Sequence, residues 1–321
     1  MTNKERYGEW AAAQEYIPLF MMPWWLDAVC AGKTWDVLLA EDEQGNILGA
    51  MPYLLRKRAW FKYILMPQQT PVGGIWVTPE VTSDRWKTAE VCRQLKEQLD
   101  SLGLAYYYQQ YLPGSLCVDA LKAYGFRAKE RVTYRVDDLS DLDKVIESFS
   151  KNKKRQLQKA LSLHAERTMD VEDFYRFHVQ CLANRKRKIR DTREFLRVLE
   201  RKARRLGQCE ILSICNADGQ VYAAAFLVWD KQYMYYLIPV INKAFGDSGA
   251  GALLVLEAMK RARGKKVMFD FEGSMHKGTA WHYQQFGSTP TIYYGVEKYY
   301  KPSVHLAIWL QKLRVGLQVN D

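Results

Sequence analysis

The fold is decided by a stretch that the chain carries twice: DVLLAEDEQGNILGAMPYLL at residues 36–55 aligns without a gap with EILSICNADGQVYAAAFLVW at residues 210–229. Each copy contains an apolar run, a polar turn centred on Gly45 or Gly219, and a second run of small and apolar residues. This is the pattern of a β-hairpin. Its recurrence indicates an internal duplication of the chain.

The two halves continue to match beyond this hairpin. In each half a helical stretch leads into a strand, a short helix and an aromatic-rich strand, and glycines mark the ends of the two helices (Gly103 and Gly125; Gly264 and Gly287). Glycine is the residue that most often follows the end of a helix. A repeat this long lies outside the range of solenoid proteins. The pattern therefore predicts two tandem copies of one α/β (α+β) domain, each with a mostly antiparallel sheet flanked by helices.

Length and composition agree with two domains. A chain of 321 residues, 48% of them hydrophobic, can bury two cores. The repeat predicts an N-terminal domain at 1–137, a basic helical connector at 138–165 and a C-terminal domain at 166–321. The last of these is expected to end in an amphipathic helix over SVHLAIWLQKLRVGL, residues 303–317.

Several classes of protein are disfavoured by the composition. The chain has no apolar run long enough to span a membrane, and its first residues, MTNKERYGEW, are too polar for a signal peptide. The cysteines lack the C-x-x-C spacing and the histidine partners of a metal site. We therefore expect a cytoplasmic protein without a metal, in which the six thiols are reduced and mostly buried: Cys30, Cys92, Cys117, Cys181, Cys209 and Cys215.

The positive charge of the chain is concentrated in one segment. The net charge is +11, yet residues 1–140 carry 16 Lys and Arg against 17 Asp and Glu. Residues 151–205 carry 18 against 7, so this segment alone accounts for the whole excess. Such a field favours anionic partners such as nucleotide phosphates, tRNA or acidic head groups, although a pair of solvated helices would have the same composition.

The order of elements resembles a known superfamily. Two helices, three antiparallel strands, a glycine loop, a helix, a strand, a helix and a strand resemble the GNAT fold of histone and aminoglycoside acetyltransferases. The most specific stretch is YYLIPVINKAFGDSGAGALLVLEAMKRARGKKVMFDFEGS at 235–274. A tandem of two such domains is similar to the Fem-type peptidoglycan-bridge aminoacyltransferases and their acyl-CoA-using relatives. The basic run SKNKKRQLQKA at 150–160 looks like the S-K-x-x-R run between the domains of that family.

A glycine loop precedes the predicted helix of the second copy. Glycine permits positive φ and close approach of the backbone, and the free N–H groups at a helix start can bind a pyrophosphate, although a flexible turn would have the same sequence. The resemblance implies that this loop holds the phosphates of acyl-CoA, with Gly246 in place of the family's first polar residue. The residues of this loop are Gly246, Gly249, Ala250 and Gly251. The first copy has PQQTPVGGI at 67–75 and no glycine-led helix start, so we expect it to shape the acceptor side.

Tyr283 is the first of three candidate catalytic residues. It lies four residues before Gly287, where the resemblance implies a tyrosine that protonates the leaving thiolate of coenzyme A. Fem-type enzymes that use charged tRNA have a lysine there, within F-K-x-x-F-G, whereas this chain has HYQQFG at 282–287. The missing lysine favours a thioester donor. A tyrosine packed on a short helix is the structural alternative.

Asp270 and Glu272 are the other two candidates. They alternate with phenylalanines at the end of a predicted strand, and period-two alternation would place both acids on one face. Either could act as a general base, or both could bind the turn at 273–274. The resemblance also implies a splayed strand whose backbone N–H polarises the donor's carbonyl, at Leu237, Ile238 or Val240. Residues expected to contact the substrate are His276, Lys277 and His282.

These features predict an N-acyltransferase that moves an acyl group from acyl-CoA directly to an amine. The alternative is a Fem-type transferase that uses aminoacyl-tRNA, bound through the basic segment 151–205, to extend a peptidoglycan precursor. A third hypothesis is a binding protein that keeps the fold without the chemistry. Nothing in the sequence favours DNA as a partner.

Overall fold

The computed structural model of the chain describes residues 1–30, 34–166, 169–184, 189–273 and 275–302. The predicted C-terminal helix lies outside these residues. Two compact units are present: unit 1 contains residues 1–130 and those from 293 onward, and unit 2 contains residues 131–292.

Unit 1 has helices packed on one sheet. Its elements are α1 (Asn3–Ala13), α2 (Pro23–Val29), β1 (Trp35–Glu41), β2 (Ile47–Arg58), β3 (Phe61–Ile64), β4 (Trp76–Val77), α3 (Pro79–Thr82), α4 (Arg85–Ser101), β5 (Tyr106–Tyr111), α5 (Cys117–Ala123) and the start of β6 (Arg127–Val136). Strand β3 pairs with β2 on one side and, in parallel, with β5 on the other. The buried Val91, Leu95 and Leu99 lie at four-residue spacing on α4, so one face of this helix covers the sheet.

Unit 2 repeats this plan. Its elements are the rest of β6, α6 (Leu142–Ser148), α7 (Lys151–Lys159), β7 (His164–Glu166), α8 (Val171–Ala183), α9 (Arg193–Arg205), β8 (Cys209–Cys215), β9 (Val221–Trp229), β10 (Tyr233–Ile241), α10 (Ala250–Gly264), β11 (Met268–Asp270), α11 (Lys277–Gln284) and the start of β12 (Thr289–Tyr299). Strand β10 pairs with β9 on one side and, in parallel, with β11 on the other.

The duplication is confirmed at the level of single hydrogen bonds. Val37 lies opposite Pro52 and Ile211 opposite Phe226, so the two hairpins share one register at a constant offset. Both hairpins also carry a β-bulge at the same step. In each turn the first residue, Asp42 or Asn216, accepts with its Oδ1 the N–H groups two and four residues further along the chain. The turn chemistry and the strand register therefore come from one ancestral hairpin.

The last strand of each copy pairs outside its own copy. Strand β12, which ends the second copy, pairs with β5 in unit 1, and β6, which ends the first copy, pairs with β11 in unit 2. Units defined by contacts therefore differ from the segments that the repeat predicts at 1–137, 138–165 and 166–321. The domain boundaries stay a prediction.

Two expectations about local structure are wrong. The predicted strand over 265–272 is shorter, because β11 ends at Asp270 and Glu272 has a φ of 60°. Period-two alternation stops there, and the two acids do not share a strand face. The predicted connector also contains a strand, since β7 pairs with β8 through Ala165 and Ile214.

The described residues bear on three further expectations. All six cysteines are buried and free. Among the helices that the structure describes, none is long and apolar enough to cross a membrane. In the same part of the chain, no group of three or more His, Cys, Asp or Glu side chains could hold a metal ion.

Candidate functional site

The start of α10 is left without a side-chain cap. Its N-cap residue is Gly249, at a φ of 78°, and glycine has no side chain with which to accept the first N–H groups of the helix. Ala250 N–H reaches only the Ser248 Oγ, at 3.5 Å. A helix of 15 residues therefore begins without a side-chain cap at its N-cap residue, an arrangement whose N–H groups and dipole attract anions.

Helix α7 forms the wall behind this helix start. A Cβ atom added at Gly249 would lie 1.9 Å from the Gln156 carbonyl oxygen, so glycine is required there for packing on α7. The Lys159 ammonium lies 2.6 Å from the Asp247 carboxylate, and Gln156 Nε2 donates to the same group at 3.2 Å. The basic run predicted as a connector thus fixes the glycine loop and neutralises the acid within it.

A cavity of about 510 Å³ opens at this helix start. Its volume lies within the range of small-molecule sites. The lining comes from the glycine loop, from β10, from α8 and from α11: Gln156, His178, Cys181, Leu182, Tyr236, Pro239, Val240, Ile241, Lys243, Gly246, Asp247, Ser248, Gly249, Ala250, Gly251, Ala252, His276, Gly278, Thr279, His282 and Tyr283.

Strand β10 separates from β11 as it enters the cavity. The parallel pairing of the two strands ends at Tyr235 and Asp270, whereas β10 continues to Ile241. A β-bulge interrupts the ladder with β9 between Tyr235 and Ile238. Bulges redirect the backbone and are frequent at functional sites. The splayed strand expected from the resemblance is thus present in unit 2.

The register fixes the direction of several N–H groups on β10. Asn242 N–H donates to the Tyr222 carbonyl of the adjacent strand segment. Alternate residues of an antiparallel strand point the same way, so the N–H groups of Ile238 and Val240 are also directed at β9. Position 239 points to the opposite side and is a proline, which has no N–H. Tyr236 and Leu237 form the bulge, so this alternation does not fix the direction of their N–H groups.

Tyr283 lies in the cavity wall, on α11. Its ring stacks on Phe271 with 4.5 Å between centroids, and the residue is 8% exposed. Burial, together with the Glu272 carboxyl, raises the pKa of Tyr283 above that of a free phenol. The hydroxyl therefore keeps its proton at neutral pH and can donate it.

Asp270 is fully occupied by hydrogen bonds. Its Oδ1 accepts from Thr133 Oγ1 at 2.5 Å and from the Glu272 N–H at 2.8 Å, and its Oδ2 accepts from Arg135 Nε at 2.7 Å. The residue is 3% exposed. Asp270 and Arg135 thus form an ion pair in which both side chains are almost completely buried, with charge-assisted hydrogen bonds. Asp270 therefore positions the chain at Glu272.

Glu272 has the opposite environment. Its Oε1 is buried and meets no hydrogen-bond partner among the described residues. Burial, with the nearby Asp270 charge, raises the pKa of Glu272 well above its usual range. Its backbone is in the left-handed region, which is costly for a residue with a side chain and is found mostly at functional sites. Glu272 is thus a carboxyl group next to Tyr283 whose Oε1 accepts no hydrogen bond from the described residues.

A buried lysine lies directly behind the cavity wall. Lys153 on α7 is 2% exposed, and its Nζ lies 3.0 Å from His282 Nδ1 and 2.9 Å from Gln156 Oε1. Burial lowers the pKa of Lys153 to about 8, and burial with the Lys153 charge lowers the pKa of His282 to about 4. His282 is therefore neutral at pH 7. Because Lys153 is a donor, the ring proton of His282 lies on Nε2.

Eight of the thirteen site residues predicted from the sequence lie in the lining of this cavity. Three of the predicted residues are absent from the lining that the described residues provide, namely Leu237, Ile238 and Lys277. Lys277 is the first residue of α11. Asp270 and Glu272 also lie outside the lining and approach it through Tyr283. The predicted residues in the lining are Val240, Gly246, Gly249, Ala250, Gly251, His276, His282 and Tyr283.

Among the residues that the sequence did not predict are Gln156 in the lining and Lys153 behind it. The signal available was their position in SKNKKRQLQKA, three residues apart, where one helix face can carry both. Burial of a lysine within a strongly basic run is set by tertiary packing.

Comparisons with known proteins agree with this geometry. A family model described as an acetyltransferase (GNAT) domain matches residues 123–285, just over half of the chain. No curated protein matches the chain in sequence.

Solved structures match over nearly the whole chain. The crystal structure of FemX has a TM-score of 0.71 at 14% identity and covers 92% of this chain and 96% of its own. A tandem GNAT protein from the clavulanic acid biosynthesis pathway, solved without AcCoA, has a TM-score of 0.55 at 14% identity, with coverages of 93% and 94%.

A third match is the C-terminal domain of a putative lysylphosphatidylglycerol synthetase from Agrobacterium fabrum, with a TM-score of 0.52 at 12% identity and coverages of 90% and 93%. Identities this low establish the fold alone, which is a tandem GNAT fold similar to that of FemX. The chain belongs to the acetyltransferase (GNAT) domain family, and at the level of that family it is an N-acyltransferase.

Proposed function

We propose that the chain transfers an acyl group from acyl-CoA to an amine within the cavity of unit 2. The observation that carries this proposal is the uncapped start of α10, which opens into the same cavity as the bulged strand β10 and Tyr283. One wall can hold phosphates, another can hold a carbonyl oxygen, and a third supplies a proton. A thioester of coenzyme A has the groups that these three walls require.

The donor's phosphates would lie on the glycine loop. The first N–H groups of α10 and the positive end of its dipole attract an anion. Asp247 would repel it, but Lys159 neutralises that carboxylate at 2.6 Å. Lys243 adds a further positive charge to the lining.

The acyl carbonyl would be polarised at the bulge of β10. With Ile238 and Val240 directed at β9, the N–H groups of the bulge remain: that of Tyr236, which lines the cavity, and that of Leu237, which does not. Leu237 is the one of these two that was predicted from the sequence. A fixed backbone N–H aimed at the developing negative charge is the usual device for stabilising a tetrahedral intermediate. His282, locked by Lys153 with its proton on Nε2, supplies a second fixed donor in the lining.

The reaction needs one base and one acid. The amine nitrogen attacks the thioester carbon, the C–N bond forms, and the amine proton passes to Glu272 directly or through one water molecule. The C–S bond then breaks, and Tyr283 donates its proton to the departing thiolate. Asp270 takes no proton, because it holds the Glu272 backbone in place.

Calorimetric titration with coenzyme A and acetyl-CoA tests the donor site. Gly249→Trp is unsuitable, because its Cβ would collide with Gln156. Ser248→Trp fills the cavity at the helix start, and Ala244→Trp, an exposed position outside the lining, is the matched control. We expect micromolar binding by the wild type and the control, and loss of binding in Ser248→Trp. Absence of binding at millimolar ligand would reject the acyl-CoA proposal.

The second candidate donor is a charged tRNA, supported by the cations of residues 151–205. Several of these cations are already paired: Glu172 contacts Arg193 and Arg197, and Glu200 contacts Arg204. Pairing weakens the field available to a phosphate backbone. Binding of tRNA that falls steeply with salt, without binding of coenzyme A, would select this candidate and a peptidoglycan-precursor acceptor. Failure to bind either donor would select a binding protein without the chemistry.

A further inference from the structure

The tip of the β2–β3 hairpin is an addition to the repeated fold. Leu55 pairs with Ile64, and at the equivalent place in the second copy Trp229 pairs with Met234. Eight residues separate the first pair and four separate the second. The second copy folds with the shorter connection, so the sheet does not require the longer one.

The added residues are strongly basic. Arg56, Lys57, Arg58 and Lys62 lie within the sequence RKRAWFK, and no acidic residue occurs between positions 43 and 80. None of these four cations has a carboxylate within salt-bridge distance among the described residues. Lys301 adds a fifth charge, because its Nζ lies 5.2 Å from the centre of the Phe61 ring. The hairpin tip, residues 56–62, is thus a local positive field in a half of the chain whose other residues up to position 140 are net acidic, with 12 Lys and Arg against 17 Asp and Glu.

An aromatic side chain projects from the middle of this field. Trp60 is 82% exposed at the turn and contacts the Phe61 ring at 5.9 Å between centroids. A single exposed tryptophan is normal on a protein surface, but the combination of Trp60, Phe61 and the basic residues of RKRAWFK suits a partner that is both anionic and apolar. Indole has an apolar body and one N–H donor, a combination suited to the boundary between lipid head groups and acyl chains.

We infer that the hairpin tip docks the protein on the surface of an anionic lipid bilayer. The cations attract the negative surface over about one Debye length, roughly 8–10 Å at physiological salt. Trp60 then enters the head-group region with Phe61 beside it. A nucleic acid would instead require cations spread along a track of phosphates, whereas here four basic residues lie within seven residues of sequence around the exposed Trp60.

Co-sedimentation with vesicles tests this inference on the full chain. One set of vesicles contains phosphatidylcholine alone and the other contains equal parts phosphatidylcholine and phosphatidylglycerol. We expect binding to the anionic vesicles only, weakened by added salt. Trp60→Ala should lower the partition coefficient about tenfold, and Lys57→Glu with Arg58→Glu should lower it further. Trp86→Ala is the matched control, because Trp86 is 87% exposed beside the Asp84 carboxylate and outside the tip.

Three outcomes would overturn the inference. The wild type could fail to bind anionic vesicles at low salt, or it could bind them equally well when the tip is substituted. It could also leave the vesicles unbound while binding mixed tRNA through Lys57 and Arg58, which would identify a nucleic-acid surface instead. Unchanged far-UV circular dichroism and coenzyme A affinity in the tip variants would show that the substitutions had not disturbed the fold.

Discussion

Helices α4 and α10 occupy the same place in the two copies of the fold, but a side chain caps the N-terminus of α4 and none caps that of α10. Asp84 caps α4, and its carboxylate accepts the N–H groups of Trp86 and Lys87 at 2.8 and 3.2 Å. Gly249 leaves α10 uncapped at the edge of a cavity. A carboxylate of the chain itself therefore accepts the first N–H groups of α4, whereas the N-cap residue of α10 offers no such acceptor.

The residue at the position of Tyr283 also differs between the two copies. The offset between Gly125 and Gly287 places Leu121 at the equivalent position, and Leu121 is 2% exposed in the core of unit 1. A leucine there cannot donate a proton. In the proposed mechanism, therefore, only the second copy has a proton donor at this position.

The largest expected effect comes from removing the base of the second copy. Glu272→Gln should lower kcat by roughly 10²–10⁴-fold, because an amide cannot accept the amine proton. Since the pKa of Glu272 is raised well above its usual range, wild-type activity should increase with pH as this carboxyl ionises, at a higher pH than an ordinary glutamate would require. That limb of the pH–rate profile should vanish in the variant. A retained limb would assign the base to another group.

A variant of Asp270 distinguishes the role of this residue from that of Glu272. Asp270→Asn should lower kcat less than Glu272→Gln does, and it should leave the limb of the pH profile in place, because Asp270 acts through the position of Glu272. Equal losses with loss of the limb in both would make the carboxyl pair one catalytic unit.

The second-largest effect is expected when the carboxylate cap of α4 is introduced at the start of α10. Ser248→Asp places a carboxylate at the start of α10, as Asp84 does at the start of α4, and it should weaken binding of coenzyme A about 10–100-fold. Ser248→Asn, of nearly equal size and without the charge, should weaken it several-fold less. Isothermal titration measures both. If the two variants bind alike, the phosphates do not lie at this helix end.

The third effect concerns the neutral histidine of the cavity. The pKa of His282 is about 4 in the folded protein, against about 6.5 for a free histidine. Between these values the unfolded chain binds more protons, so stability falls as the pH drops from about 6.5 to 4. The loss should be on the order of 2 kcal/mol. His282→Asn keeps an acceptor for Lys153 and should remove this loss, whereas the exposed His164→Asn should retain it, as measured by urea denaturation at several pH values.

The sequence predicts the duplicated framework well, because the signals are local. Asp42 and Asn216 make the same turn bonds to residues two and four positions away, and those bonds follow from residue type and spacing. The glycine loop and Tyr283 were located by the order of elements around them.

The chemistry of the acids and of Lys153 could not be predicted in this way. Asp270 is occupied by Arg135, which lies 135 positions earlier in the chain, and Lys153 contacts His282 across 129 positions. Whether a carboxylate accepts hydrogen bonds from the protein, and whether a lysine is buried or solvated, depends on such distant partners. Alternation along a strand also fails where tertiary hydrogen bonds end the strand, as at Glu272.

The smallest expected effect removes the cap of the first copy. Asp84→Ala deprives α4 of both side-chain bonds and should lower the free energy of unfolding by about 1 kcal/mol, within the range of 0.5–2 kcal/mol measured for such caps. Asp84→Asn, which keeps an acceptor, should cost less. Neither variant should change the affinity for coenzyme A, because the uncapped α4 has no glycine loop or cavity at its start. Urea denaturation and calorimetry on the same samples measure both quantities. New binding of coenzyme A by Asp84→Ala would mean that the first copy retains a donor site and that its own carboxylate was the sole barrier to it.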